Sequence, residues 1–93
     1  MTMTITELNH LKKKIVALLE RLKVGDKSLN YEKDMQPILN RYWHGLGELT
    51  QETSDTIDQV DSLERGDAEV ILEELKNLRE FALTVNKMVE KYR

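Results

Sequence analysis

His10 and His44 are the only histidines in the chain, and there is no cysteine. Nucleophilic hydrolysis needs a hydroxyl or thiol beside a base, usually histidine. Ser28, Ser54 and Ser62 stand in polar stretches away from either imidazole, and no Gly-x-Ser-x-Gly elbow is present. Glu7-Leu8-Asn9-His10 has the Glu-x-x-His spacing that places a carboxylate and an imidazole on one helix face. Di-iron bundles need two such motifs and two further glutamates from facing helices. Only one motif occurs here, so a solvated first turn is expected. Gly45-Leu46-Gly47 lacks the third glycine and the preceding strand of a phosphate loop. Adjacent carboxylates such as Glu73-Glu74 point to different faces of a helix and do not form an acid–base pair. No enzyme activity, cofactor or metal is expected.

Two charge biases remain, and both depend on helices to display them. Residues 1–30 hold six basic and three acidic residues, with Lys12-Lys13-Lys14 as the only basic run. The whole-chain pI of about 5.4 is far below that of a nucleic-acid-binding domain. The three lysines read as the solvated side of a helix, and nucleic acid is not an expected partner. The acidic bias is larger. From Glu48 to Glu80 there are 11 acidic and three basic residues, a local balance of −8. Glu52, Asp55, Asp58 and Asp61 recur every third residue and form a slowly drifting strip on a helix. Such a strip can imitate a phosphate backbone or dock on a basic groove.

Arg41-Tyr42-Trp43 joins the three residue types that dominate interface energetics. With Leu46 one turn on, it is the expected partner-binding site. Core packing is the competing use of Trp43, which would sit at the edge of the apolar stripe. Trp43-His44-Gly45 is similar to the Trp-x-Gly turn of a family of small secreted helical-hairpin proteins, and chain length and triplet position match as well. The likeness covers three residues. In that family the triplet lies between two long helices. Here the apolar stripe runs through it and a clearer turn signal stands at Gly66, so the chain is read without the family. Arg65-Gly66-Asp67 spells an adhesion tripeptide, which a turn explains without integrins.

The elements that carry these residues follow from periodicity. Leu8, Leu11, Ile15, Leu18 and Leu22 step by three and four, and Val16 and Leu19 widen the stripe. Thr4 with Glu7 fits a capping box and Gly25 a stop. Asp34 is the expected cap of a second helix, with Pro37 at its third position. Its stripe is Met35, Leu39, Tyr42, Leu46, Leu49, Thr53, Thr56, Val60 and Leu63. Gly45, Gly47 and the polar run Thr50–Thr56 predict a kink or break between 45 and 56. Glu64-Arg65-Gly66-Asp67 reads as a tight turn. Ile71, Leu75, Leu78, Ala82, Val85, Val89 and Tyr92 form a third stripe with coiled-coil spacing.

The sequence therefore predicts an all-α fold in a single domain, 1–93. It is an antiparallel bundle of three helices, about 4–24, 34–64 and 67–92, dominated by a long hairpin. At 93 residues its core is modest. The longest apolar run, Ile15–Leu19, is too short to span a bilayer, and the first residues lack a signal-peptide layout. A cytoplasmic location is the expectation. The expected role is non-enzymatic: an adaptor, small chaperone or regulatory subunit that docks helix on helix with another protein. The rival is an acidic inhibitor or nucleic-acid mimic of bacterial or phage type. Thr53 and Thr56 on the seam suggest either a register-setting layer in a homo-oligomer or a place where a helix outruns its neighbours.

Overall fold

The computed structural model describes residues 3–59 and 62–93, with the side chains of all but 62–65. Three helices pack pairwise around one core: α1 (Ile5–Lys23), α2 (Gln36–Gln59) and α3 (Ser62–Tyr92). No strand occurs among the described residues.

Local chemistry sets both ends of α1. Thr4 is extended, and its hydroxyl oxygen accepts the Glu7 N–H at 3.1 Å, which satisfies one of the orphan donors of the first turn. At the other end Gly25 takes φ +71°. The Gly25 N–H then reaches the Leu22 carbonyl and the Asp26 N–H the Arg21 carbonyl, which is the paired closure of a Schellman motif. The connection that follows is tied by Asp26. Its carboxylate accepts from the Ser28 hydroxyl, from Arg21 Nε and from the Ser28 N–H, and these bonds hold its pKa down to about 2.

The entry to α2 differs from expectation. Asn30, not Asp34, is the cap: its side chain accepts the Lys33 N–H at 3.1 Å, while the Asp34 carboxylate accepts the Asn30 N–H at 2.9 Å. The reciprocal pair satisfies two donors, which a cap at Asp34 alone would not. One wide turn follows, Tyr31–Met35, in which the Gln36 N–H reaches back to the Tyr31 carbonyl. Pro37 stands directly after it. A proline crowds the carbonyl four residues back and donates nothing, and a widened turn relieves that crowding. Arg93 clasps this turn from the far end of α3, stacking 4.2 Å over the Tyr31 ring and pairing with Glu32.

Helix α2 runs unbroken through Gly45, Gly47 and the threonines. Thr50 and Thr56 bond their hydroxyls to the Leu46 and Glu52 carbonyls, so they stay in the helix with their polar atoms satisfied. Gly45 is buried beneath Met3, whose sulfur lies 2.7 Å from where a Cβ would stand. The expected turn at Glu64–Asp67 is also absent. Gly66 and Asp67 lie inside α3, and Gly25 is the only glycine with positive φ. An interior glycine costs about 1 kcal/mol but does not end a helix whose next turn is packed. Here Ala68 is buried. Val60 and Asp61 lie outside the described residues.

Leu8, Leu11, Ile15 and Leu19 of α1 meet Leu39, Tyr42 and Leu46 of α2 and Leu75, Leu78, Ala82, Val85 and Val89 of α3. Leu19 joins the core, while Val16 is 43% exposed and does not widen the stripe. Tyr42 lies opposite Leu78, and nearer the tip Thr53 and Ala68 line one groove, so α2 and α3 run antiparallel. Met3 lies against Gly45 and Lys12 over Phe81, so α1 runs against α2 and alongside α3.

Gly47 faces open space, and Gly47→Ala should raise the unfolding free energy by about 0.5–1 kcal/mol. Gly45→Ala carries the same helical advantage but must displace Met3, so its gain should be smaller or reversed. Urea unfolding of the two variants checks the order.

Candidate functional site

The expected aromatic contact site divides between core and surface. Tyr42 is 1% exposed and Leu46 3%. The Tyr42 hydroxyl donates to the Leu78 carbonyl at 2.7 Å, and its ring meets Phe81 edge-on at 6.1 Å. Trp43 is half-buried and packs on the core, and Arg41 is exposed. Tyr42 and Leu46 thus face α1 and α3 and are not offered to a partner. Trp43-His44-Gly45 lies in mid-helix rather than in a turn.

The acidic strip is on the surface. Glu52, Asp55 and Asp58 are exposed, and Asp61 lies outside the described residues. Three residues advance a helix by about 300°, so successive members turn by about 60° and Glu52 and Asp58 stand about 120° apart. The straighter wall is Glu48, Glu52, Asp55 and Gln59, which line one shallow depression on α2. Glu48 did not figure in the expected strip. Its signal was the four-then-three spacing to Glu52 and Asp55, which a search for every third residue passes over. His44 pairs with Glu48 at 2.9 Å, and Gln51 donates to Asp55. Lys13 and Lys14 are exposed on α1 and Lys12 lies 5.0 Å over Phe81. Among the described residues no ion pair joins these lysines to the strip.

This wall borders an opening in the bundle. Helix α1 begins at Ile5, at the level of Leu49 and Ile71, but the hairpin continues beyond it. There the seam between α2 and α3 lies open as a groove of about 360 Å³, lined by Met3, Ile5, Leu49, Thr53, Ala68 and Ile71 among others. Thr53 and Ala68 are small enough to close the two helices together and are buried, while Ile71 remains 38% exposed. Thr56, its hydroxyl bonded back to the Glu52 carbonyl, also lines the groove. Glu52 stands at the α2 edge, and Asp67, one turn before Ile71 on α3, is exposed. The seam threonines thus mark where the hairpin outruns α1.

Glu7 and His10 are both exposed, and among the described residues no group of three His, Asp or Glu side chains is arranged to hold a metal ion. No described helix is long and apolar enough to cross a membrane. Comparison of the chain with protein-family models, curated proteins and solved structures finds no match.

Burial pushes the Tyr42 phenol up to about 12 from its ordinary 10. The neutral phenol is the form that fits the core. The stability it contributes is therefore complete below pH 10 and is lost as pH rises from 10 to 12. Tyr42→Phe should cost about 1 kcal/mol at neutral pH through the lost hydrogen bond. It should also lessen the fall of Tm above pH 10, which thermal melts across that range will show. Trp43→Ala should lower the unfolding free energy by about 2 kcal/mol, because the indole packs on the core. Unchanged stability in that variant would return Trp43 to the surface.

Proposed function

We propose that this chain is a non-enzymatic helical interaction module of the cytoplasm, an adaptor, small chaperone or regulatory subunit that docks a helix of a partner protein. The observation that supports this reading is the open groove at the hairpin tip. Its floor is apolar, it opens where α1 begins at Ile5, and helices of one chain already enclose it on two sides. Exposed Ile71 would be covered only by a further element. A row of small and apolar positions between two helices is the surface that an amphipathic helix fills by ridges and grooves.

A second reading has its own support. Glu52, Asp55 and Asp58 are all exposed on one rigid helix. An acidic inhibitor or nucleic-acid mimic would present such a row to a basic groove on another protein. The 120° turn between Glu52 and Asp58 weakens the match to one straight backbone.

The two readings use different residues, so two single changes separate them. Ile71→Lys alters the floor of the groove, and Asp58→Lys alters the strip on the side turned away from it. Affinity capture from a lysate of the source organism, with nuclease, should recover a stoichiometric protein partner with the parent chain. Ile71→Lys should reduce that recovery about tenfold, equivalent to about 1.4 kcal/mol, and Asp58→Lys should leave it unchanged. The reverse pattern selects the mimic. Recovery of the bait alone in every case removes both readings. Circular dichroism of each variant should retain the helical spectrum.

A further inference from the structure

We infer that the occupant of the tip groove is a cationic amphipathic helix from another protein, lying in line with α1 as its continuation between α2 and α3. This rests on the docking reading above and names the chemistry of the partner.

Three observations converge on that occupant. The first is continuity. Helix α1 sits between α2 and α3 with Leu8, Leu11, Ile15 and Leu19 turned inward. Beyond Ile5 the same two helices carry on with Leu49, Thr53, Ala68 and Ile71, so the groove repeats the surface that a helix already fills a few residues away. The second is size. Thr53 and Ala68 replace the leucines of the middle of the bundle. Small residues let α2 and α3 approach each other and leave a shallow floor, which suits a helix presenting leucine or alanine at three- and four-residue steps.

The third is charge. Between Gly45 and Leu75 the sequence holds ten carboxylates and one basic residue, Arg65. Glu52 lines the groove on α2, Glu48 and Asp55 join it in the depression alongside, and Asp67 is exposed on α3 one turn before Ile71. A helix laid here places one flank against Glu52 and enters the field of the carboxylates around it. Lysine or arginine at these flanks gains attraction and speeds encounter, whereas an acidic flank is repelled. The same bias argues against a second copy of this chain as occupant. Two tips brought together would juxtapose like charge.

The test uses the full chain and two synthetic helical peptides of about three turns, the length that covers the exposed seam. Both carry the same Leu/Ala stripe at three- and four-residue steps; one has lysine at the flanks and the other glutamate. The Lys-flanked peptide should bind at least about tenfold more tightly, and its affinity should fall as salt is raised from about 0.05 to 0.5 M. On binding, the backbone amide signals of Leu49, Thr53, Thr56, Ala68 and Ile71 should shift in NMR spectra. In Glu52→Lys/Asp55→Lys the preference between the peptides should reverse or vanish. Equal affinity for the two peptides, shifts confined to other faces, or no binding of the Lys-flanked peptide overturns the assignment. So does a concentration-dependent dimer of the chain alone that protects the same amides, which would make a second copy the occupant. Those failures leave the docking reading standing if Ile71→Lys still reduces capture of a partner about tenfold. Loss of that capture result, by contrast, removes the reading on which the assignment rests.

Discussion

A seam between two antiparallel helices must be covered, and in this chain the covering helix is shorter than the seam. Helix α1 has 19 residues and α3 has 31, about 28 Å against about 46 Å at 1.5 Å per residue. Where α1 lies, the seam is built mainly of leucine and valine with Tyr42 and Ala82, and it is closed from three sides. Past its first turn the chain turns to threonine and alanine, which limit the apolar surface left open. Core composition thus follows the reach of α1. The long axis of 53 Å against widths of 22 and 17 Å records the same mismatch.

Within the covered part, Tyr42 joins packing to direction. Its ring fills space that leucine could fill, but its hydroxyl must find an acceptor once it leaves water. The Leu78 carbonyl supplies one at 2.7 Å. This bond crosses from α2 to α3 at one register only, since a shift of α3 by one residue turns Leu78 away by about 100°. Phe81, one turn along, meets the Tyr42 ring and carries Lys12 of α1 on its other side. All three helices are therefore indexed to one another at this level. The aromatic pair that reads from sequence as a binding anchor is used inside the fold, which explains why the open surface lies elsewhere.

The parts of this architecture that were legible in the sequence are those decided by neighbours a few residues apart. Thr4 and Gly25 end α1 as their local chemistry demands, and the three-and-four spacing of the middle leucines and valines marks the core faces. The misread positions are those decided by distant contacts. Gly66 reads as a stop because glycine so often is one, yet the burial of Ala68 two residues on holds that backbone helical. Gly45 reads as a weak point, but the missing Cβ is the space that Met3 occupies, 42 positions earlier in the chain. The cap of α2 is the exception, a local misreading: Asp34 reads as the cap, and only the reciprocal bonds show that Asn30, four residues earlier, takes that place. The groove was visible only as an anomaly, two threonines on an apolar stripe. Its cause, the end of α1, lies nearly fifty residues away.

Charge and apolar surface are opposed at the tip in a way that narrows what it can meet. An open apolar floor invites contact with any hydrophobic element, including another tip. Ten carboxylates against one arginine over the same stretch oppose that contact, because like charges brought together without counter-charge cost free energy at every approach. The carboxylates cost the isolated fold little, since those described lie in water and face outward. Their effect is felt mainly when something approaches. On the proposed docking reading the groove would select by charge as well as by fit: an acidic helix would be repelled and a basic one drawn in. Under that reading, removing the carboxylates would leave the floor intact and the selection gone, so the charges, more than the floor, would set the choice of partner.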